Sequence, residues 1–538
     1  MSGPAEALTT ETLDEGIEVV PGHDQTMGTL GRGTAALAVS TAAFIFLGFL
    51  ARVTITHVVS VSQWGAFSLG LALSSLLAIV VTLGLPTAVS RALSYEPDVA
   101  ARRRIVRTTL IVSAASAVAG SVVVFLAAPV IAGAFHNSGL TIVFQLFAPA
   151  IGFTVISTVL AAYFQGVEKV APNAIFNMAL NPALFLAFLG VALAVHGGFF
   201  GILVAYAVSA GVACAAIALY TQAKLPKALA EHTHASEADP TGHVSLLSMS
   251  VALFGAGSLN LLTQFADTLI LALYTTTAIV GLYAAGMTLA RLFLAGASAL
   301  LYIYLPVSTR LRRTRDFDGL RKSYVTSARW VTVLTLPVFC VFFFDPGPTL
   351  GFVFGATYGQ GILALRILTL ASFLSVIIGP ANAGLSGLGH PLANMTSAGS
   401  SLIVNVVLSF ALIPGWGLIG AAVAWSVARL VYTCLCLAYI WKVYRVSPFA
   451  SQFVRPLLLA MAVLVPIFLL VVVPGHSYVL LLGLVVLAYL VTLIAIPLTR
   501  SVERADLVLF DATRRRLEAK YAPALARVEA ALTATESG

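Results

Sequence analysis

The chain has 538 residues, of which 59% are hydrophobic and only 10% charged, and its mean hydropathy is +0.97. This composition excludes a soluble protein and predicts an all-α integral membrane protein, because apolar runs of about twenty residues are too long for β-barrel strands. The net charge of +8 does not indicate nucleic-acid binding, since most Lys and Arg residues lie in short connections between apolar runs.

About fourteen spans are predicted in chain order. Residues 1–30 are polar and acidic, lack a signal-peptide core, and predict a flexible cytoplasmic N-terminal arm. Six spans at 33–57, 63–84, 108–133, 141–164, 173–195 and 198–221 form an N-lobe (31–221), and a cytoplasmic linker covers 222–245. Six more at 246–273, 278–305, 328–344, 361–384, 394–414 and 418–441 form a C-lobe (246–441). Spans at 456–473 and 477–498 follow, and the pattern of residues 500–538 is typical of an amphipathic cytosolic helix.

The positive residues predict the orientation. The connection after the second span contains Arg102, Arg103 and Arg104, and the one after the eighth contains Arg312 and Arg313. Connections after odd-numbered spans contain neither Lys nor Arg. Because cytoplasmic loops are enriched in these residues, we expect both termini to be cytoplasmic.

An internal repeat relates the two halves of the chain. QGVEKVAPN, which begins at Gln165, matches SGLGHPLAN from Ser386. GFFGILVAYAVSA from Gly198 matches GLIGAAVAWSVAR from Gly417, and a weaker match relates WGAFSLGLAL to VGLYAAGMTL. The repeat predicts two six-helix lobes with a shared central space, and two C-terminal helices outside it. The alternative is that Gly-rich apolar helices resemble one another by composition alone.

Five charged residues lie well inside predicted spans, namely Arg52, Asp267, Arg291, Arg366 and Arg429. Four cations against one anion predict an electropositive cavity, and the planar fork of arginine suits a diphosphate. A structural role is the alternative for two of them, with Arg366 snorkelling near its span end and Arg429 bonding backbone carbonyls. Asp267 either binds a coupling ion or neutralises a nearby arginine.

Amide side chains form stripes along three predicted spans. Asn260, Gln264 and Asp267 share one helical face, as do Asn173, Asn177 and Asn181, and Asn405 belongs to a polar line in the counterpart span. Amides and hydroxyls could bind sugars. Equally, they could join helices through interhelical hydrogen bonds of ~0.6 kcal/mol each.

Several chemistries have no signature in the sequence. It contains no nucleotide-binding loop, catalytic triad or zinc cluster, and all four cysteines lie in apolar runs as packing residues would. We therefore expect no cofactor, and transport driven by an ion gradient of Na⁺ or H⁺.

Three stretches carry a family resemblance: WGAFSLGLALSSLLAIVVTLGLPTAVSRALS from Trp64, ADTLILALYTTTAIVGLYAAGMTLARLF from Ala266, and ILTLASFLSVIIGPANAGLSGLGHP from Ile367. They resemble polysaccharide-export flippases of the multidrug/oligosaccharidyl-lipid/polysaccharide transporter superfamily. The resemblance implies a V-shaped pair of lobes that moves a polyprenyl-(di)phosphate-linked oligosaccharide to the outer leaflet by alternating access. It also implies roles for arginines in spans one and eight, which here are Arg52 and Arg291.

The sequence is compatible with three functions. A flippase for polysaccharide biosynthesis at the cell envelope fits the cationic cavity and the fourteen spans. A MATE-type drug or cation antiporter would need acidic groups in its cavity and typically has twelve spans. An intramembrane glycosyltransferase or polymerase would show large outer loops, whereas the longest here, 344–361, has only one charged residue. We expect a monomer in the cell membrane whose partners are the lipid-linked substrate, membrane lipids and glycan-assembly enzymes.

Overall fold

The computed structural model describes residues 23–82, 84–231, 242–381, 384–385, 388–447, 451–471, 483, 486–491 and 494. Within these ranges every regular element is helical, which confirms the all-α prediction. The first half contains α1 (His23–Val58), α2 (Val61–Thr82), α3 (Leu85–Tyr95), α4 (Val99–Ala134), α5 (Leu140–Gly166), a π-helix (Asn173–Leu180), α6 (Asn181–Ala194) and α7 (Gly198–Glu231). The second half contains α8 (Gly242–Tyr274), α9 (Thr277–Arg313), α10 (Phe317–Phe344), α11 (Pro346–Phe354), a 3₁₀ helix (Ala356–Gly361), α12 (Ile362–Ile377), α13 (Pro391–Tyr444) and α14 (Ser451–Val471).

The helix α13 contains two predicted spans. Its 54 residues would extend about 80 Å as one straight helix, whereas a bilayer core measures about 30 Å. Gly417 breaks it with φ 50° and ψ −121°, a backbone conformation that glycine adopts readily. The chain then folds back on itself. A hydrogen bond joins the two parts, in which the Ser401 hydroxyl donates to the Ala428 carbonyl oxygen at 2.8 Å. We call residues 391–416 the first arm and 418–444 the second arm.

The membrane-spanning prediction is confirmed for the described part of the chain. Ten helical segments there are long and apolar enough to cross a membrane, and two shorter apolar helices lie within α8 and α14. Each of the first thirteen predicted spans coincides with a described helix or arm. The fourteenth, 477–498, lies mostly outside the described residues, so the count of fourteen stays a prediction.

The predicted boundaries shift in two places. The first helix begins at His23, inside the predicted arm, and residues 1–22 lie outside the description. The helix α7 continues to Glu231 and α8 begins at Gly242, so most of the predicted linker is helical and only 232–241 are not described. The tail 500–538 also lies outside the described residues.

Two structured segments replace predicted loops. The helix α3 follows α2 after Gly84, whose positive φ of 72° and the Pro86 that follows it start a new helix. The connection 345–361 folds into α11 and the 3₁₀ helix, with Pro346 in the first turn of α11. Both segments are short, which is why they lack the apolar length of a span.

The helices of each half of the chain pack against one another. In the N-lobe α5 packs against α2, α3, α4 and α7, and small residues permit close approach, since a Cβ on Gly152 would lie 2.6 Å from the Ser121 hydroxyl. In the C-lobe α13 packs against α8 and α12, and α10 joins α9, α12 and α14. The bounds of the two predicted lobes, 31–221 and 246–441, stay a prediction.

The backbone preserves the internal repeat. Glu168 and Gly389 occupy the same place in the two matched turns, and both have a left-handed backbone, with φ of 60° and 72°. Gly198 and Gly417 also match and have φ of 57° and 50°. Non-glycine residues adopt this conformation rarely, so two such coincidences indicate that both halves follow the same chain path.

The lobes meet closely at one end of the bundle, which we call the closed end and which contains residues 59–62 and 275–278. There α2 crosses α9 through Gly65 and Gly281, which are counterparts in the repeat. A Cβ on Gly65 would lie 1.8 Å from the Thr277 carbonyl oxygen, and a Cβ on Gly281 would lie 2.1 Å from that of Val61. Only glycine fits at this crossing.

The opposite end, which we call the basic end, contains the α3–α4 and α9–α10 connections. Arg102 is fully buried there, although the sequence places it among the topology-determining residues. Its Nε donates to the Glu96 carbonyl oxygen at 2.6 Å and its Nη1 to that of Leu229 at 3.0 Å. This side chain thereby joins the start of α4 to the end of α7 within the N-lobe.

Candidate functional site

Two of the predicted arginines lie close to each other across the lobes. Arg52 is on α1 of the N-lobe and Arg291 is on α9 of the C-lobe, and both side chains are partly buried. Their positive charges are near enough to repel each other. The internal repeat does not reproduce either charge, since Arg52 corresponds to Thr268 and Arg291 corresponds to Ser75. The helical scaffold therefore does not require them, and we call this pair the arginine site.

Arg291 is held by α8. One terminal nitrogen donates to the backbone carbonyl oxygen of Gln264, and the guanidinium carbon lies 4.9 Å from the centroid of the Phe265 ring, within cation–π range. Its Nε is buried without a hydrogen-bond partner among the described residues. The side chain is thus oriented by neutral groups and retains an unused donor.

Arg52 is less constrained. Its guanidinium makes no hydrogen bond with any residue in the described ranges. The Tyr206 hydroxyl of α7 is its other electrostatic neighbour, and that ring is fixed between Phe147, 4.6 Å away between centroids, and Phe185, at 5.4 Å. One helical turn before Arg52, a Cβ on Gly48 would contact nothing within 4 Å. Space therefore adjoins this face of α1.

Only one carboxylate oxygen of Asp267 is engaged, because its Oδ1 is buried without a hydrogen-bond partner among the described residues. The residue is fully buried on α8, and the Tyr283 hydroxyl of α9 donates to its Oδ2. Its negative charge acts on Arg291, although the hydrogen bond of that arginine goes to the Gln264 carbonyl oxygen. The arrangement partly compensates one of the two arginine charges and leaves the site with a net positive charge.

The asparagine stripe of the N-lobe lies on the π-helix. The Asn177 amide donates to the Asn173 side-chain oxygen at 3.0 Å and approaches the Ser157 carbonyl oxygen at 3.5 Å. Asn181 begins α6 and is partly buried. These contacts join the segment to α5, and the partly buried amides remain candidates for sugar contacts.

The corresponding polar line in the C-lobe joins helices. Asn405 is fully buried, donates to the Thr263 carbonyl oxygen of α8 at 2.8 Å, and accepts from the Ser409 hydroxyl at 3.1 Å. The Tyr432 hydroxyl of the second arm donates to the Asn394 side-chain oxygen at 2.8 Å. These contacts match the interhelical reading that the sequence left open.

Other predicted residues lie apart from the arginine site. Arg366 is exposed, and its Nε donates to the Phe343 carbonyl oxygen at 3.0 Å, which caps the end of α10. Arg429 lies over the Tyr432 ring, with 5.9 Å between guanidinium carbon and centroid. Gln264 is exposed. The side chain of Asn260 is outside the described part of the structure.

Sequence reasoning missed three aromatic residues at the site, namely Phe265, Tyr206 and Tyr283. Aromatic residues inside apolar runs are usual core residues, so no local signal distinguishes these from others. In the described ranges, no group of three His, Cys, Asp or Glu residues could hold a metal ion. Three of the cysteines are buried, whereas Cys434 is exposed.

Solved structures share this fold. A structure described as "Lipid II flippase MurJ, inward closed conformation" has a TM-score of 0.64 and 13% sequence identity, covering 85% of this chain and 97% of that chain. A structure described as an inward-facing multidrug resistance MATE family transporter of the MOP superfamily has a TM-score of 0.54 and 15% identity, covering 76% and 98%. At these identities the likeness shows the fold.

Sequence comparison adds a relative and a family. An uncharacterized membrane protein, MJ1375 of Methanocaldococcus jannaschii, is 25% identical over 144 residues, which is 27% of this chain. The chain spans only 33% of that relative's length. The family described as "Polysaccharide biosynthesis protein" matches residues 30–312, more than half of the chain. The chain therefore belongs to the polysaccharide biosynthesis protein family and has the helical fold of MOP-superfamily transporters.

Proposed function

We propose that the protein is a flippase that moves a polyprenyl-(di)phosphate-linked oligosaccharide from the cytoplasmic to the outer leaflet by alternating access. The observation that carries the proposal is the arginine site, where Arg52 and Arg291 approach each other from opposite lobes. Two like charges in a desolvated setting are costly unless an anion joins them. A diphosphate offers several oxygens that two guanidinium groups can bind together.

The position of the site suits transfer between leaflets. The glycine crossing closes one side of the lobes, while Gly48 of α1 adjoins open space next to Arg52. Rocking of the lobes about this crossing would expose the site first to one membrane face and then to the other. The family match and the fold shared with a structure described as a lipid II flippase support this reading.

A drug or cation antiporter is the second candidate, because MATE transporters share the fold. An antiporter for cationic drugs needs an accessible carboxylate. In the described spans the carboxylate near the arginine site is that of Asp267, which is fully buried and bonded by Tyr283. The site geometry therefore favours an anionic substrate.

Coupling and orientation extend the proposal. Asp267 couples transport to Na⁺ or H⁺ through its attraction to Arg291, since a change in its charge alters how strongly that arginine holds an anion. The basic end faces the cytoplasm by the positive-inside rule, which makes the closed end the outer side of the plasma membrane. Glycan-assembly enzymes would then supply the substrate at the basic end.

The test is flipping of a fluorescent polyprenyl-diphosphate oligosaccharide by purified protein in vesicles. Arg291→Ala and Arg52→Ala should each slow flipping at least ~10-fold, since a charge-assisted hydrogen bond contributes about 1.5 to 3 kcal/mol. Arg291→Lys should recover only part of the rate, because the bidentate fork is lost. The exposed Arg366 provides the matched control, and Arg366→Ala should retain the rate.

Folding and function must be separated in this experiment. The amount of monodisperse protein is measured for each variant, and rates are expressed per folded molecule. Normal flipping by well-folded Arg52→Ala and Arg291→Ala proteins would refute the diphosphate site. Transport of a cationic dye in exchange for protons by the same vesicles would instead support the antiporter.

A further inference from the structure

A polar pair joins α8 to α9 next to Arg291. The Tyr283 hydroxyl donates to Oδ2 of Asp267, and both side chains are fully buried. The other carboxylate oxygen, Oδ1, is buried and has no hydrogen-bond partner among the described residues. A buried carboxylate oxygen without a donor is costly, so this pair needs an explanation beyond packing.

The internal repeat shows that the scaffold does not require the polar pair. In the register of the glycine crossing, Tyr283 corresponds to Phe67. The turn before α2 and the turn before α9 both have two residues, so the register extends to α1 and α8, and Asp267 corresponds to Ala51. Ala51 and Phe67 are also fully buried. A methyl group and a phenyl ring therefore fill these places in the N-lobe, and the carboxylate, the phenol and the Arg291 charge occur together only in the C-lobe.

The Arg291 guanidinium lies near the carboxylate but does not bond to it. Arg291 donates to the Gln264 carbonyl oxygen, which is about one helical turn from Asp267 on α8. The Asp267 charge acts on the guanidinium, whose Nε is buried without a hydrogen-bond partner in the described ranges. Two oppositely charged groups within electrostatic range therefore each retain an unused hydrogen-bonding atom.

A direct pair between Arg291 and Asp267 would compete with an anionic substrate. Pairs of arginine and carboxylate are strong and often bidentate, and in a desolvated setting each charge would largely neutralise the other. The guanidinium would then offer fewer donors and less charge to a diphosphate. Tyr283 opposes this pairing, because its hydroxyl occupies Oδ2 and its position on α9 is about two turns nearer the closed end than that of Arg291.

We propose that Tyr283 is a positioning residue whose hydroxyl keeps the Asp267 carboxylate from pairing with Arg291, so that this guanidinium stays available to the diphosphate of the substrate. The inference rests on the proposed flippase function. It makes the carboxylate an internal competitor of the substrate. When the hydroxyl no longer holds Oδ2, the carboxylate pairs with Arg291 and the diphosphate is released.

The test measures the initial rate of flipping against the concentration of the fluorescent polyprenyl-diphosphate oligosaccharide in vesicles. Tyr283→Phe should raise KM about 10-fold, because it removes a hydrogen bond to a charged group, and should change kcat much less. In the Asp267→Asn background the same substitution should leave KM unchanged, since the amide lacks the charge that attracts Arg291. Folding is expected to survive, because the counterpart Phe67 is a buried phenyl ring. Tyr163→Phe, which removes the hydroxyl of a fully buried tyrosine bonded to α4, is the matched control and should retain KM.

The amount of folded protein and the thermal midpoint separate positioning from a structural role. A lower midpoint with unchanged KM in Tyr283→Phe would identify a structural bond between α8 and α9 and overturn the proposal. A rise in KM of the same size in both backgrounds would also overturn it, since the effect would not act through the Asp267 carboxylate. Normal flipping by Arg291→Ala would remove the diphosphate site and this proposal with it. An inactive Arg291→Ala protein together with an unchanged KM in Tyr283→Phe would refute the positioning role alone and leave the flippase proposal intact.

Discussion

Replacing Gly281 with alanine should open the closed end. The new Cβ would lie 2.1 Å from the Val61 carbonyl oxygen, whereas ordinary contact begins at 3.4 Å. The two nearest atoms of Val61, its carbonyl oxygen and carbon, belong to the backbone and cannot rotate away. The helices α2 and α9 must therefore separate by roughly 1.3 Å, and overpacking of this kind costs about 1 to 3 kcal/mol. Only the state in which this end is closed bears this cost, so the population of that state relative to the open state should fall roughly 5- to 150-fold.

Cysteine cross-linking measures that population. The hydroxyl oxygens of Ser62 and Thr277 lie 2.6 Å apart across the lobes, so Ser62→Cys with Thr277→Cys should form a disulfide readily in the closed state. Gly281→Ala should reduce the cross-linked fraction strongly. Gly190→Ala is the matched control, since a Cβ there meets nothing within 4 Å. Equal cross-linking of all three proteins, at equal folded amounts, would show that the crossing does not hold the lobes together.

Three further predictions concern coupling, topology and pH. Asp267→Asn should reduce the ion dependence of flipping in vesicles while folded protein is retained, because it removes the charge that acts on Arg291. A cysteine at Thr276 should react with an impermeant thiol reagent outside cells, whereas one at Ser323 should not. Burial, together with the Arg312 charge, lowers the pKa of His390 below its usual 6.5. The thermal midpoint of the unaltered protein should therefore fall more steeply between pH 7.5 and 5.5 than that of the His390→Gln variant.

Proton binding at His390 is linked to the unfolding of the protein. The unfolded chain binds a proton at His390 in a range where the folded chain does not, so acidification favours unfolding through this residue. In the folded state its two ring nitrogens contact the hydroxyls of Tyr444 at 2.9 Å and Tyr439 at 3.2 Å. Identical pH profiles for both proteins would exclude this contribution. Full ion dependence in Asp267→Asn, or outside labelling at Ser323, would refute the other two.

The sequence predicts the charged part of the site because desolvation makes ionised residues rare inside spans. Arg52, Asp267 and Arg291 therefore stand out from the apolar background, and in the structure Arg291 lies within electrostatic range of each of the other two. The tyrosines are different. Tyr206 and Tyr283 resemble core residues until the packing of α7 and α9 shows which charge each approaches.

The sequence predicts those parts of the fold that depend on the length of apolar runs, and it does not predict those that depend on local backbone geometry. Apolar runs and the repeat identify the spans and lobes, because crossing a bilayer requires about twenty residues. The π-helix at Asn173–Leu180 depends on a shift in the backbone hydrogen-bond pattern, and no residue type indicates that shift. The arginine count in loops likewise cannot distinguish a solvated side chain from the buried Arg102.

Arg102 acts both during membrane insertion and in the folded protein. During membrane insertion its charge helps to retain the α3–α4 connection on the cytoplasmic side. In the folded protein the same charge lies near the last turn of α7 and bonds the Leu229 carbonyl oxygen, where a cation also complements the helix dipole. Lysine at this position would satisfy the first requirement and only part of the second, so the biogenesis of the N-lobe and its rigidity place different demands on a single residue.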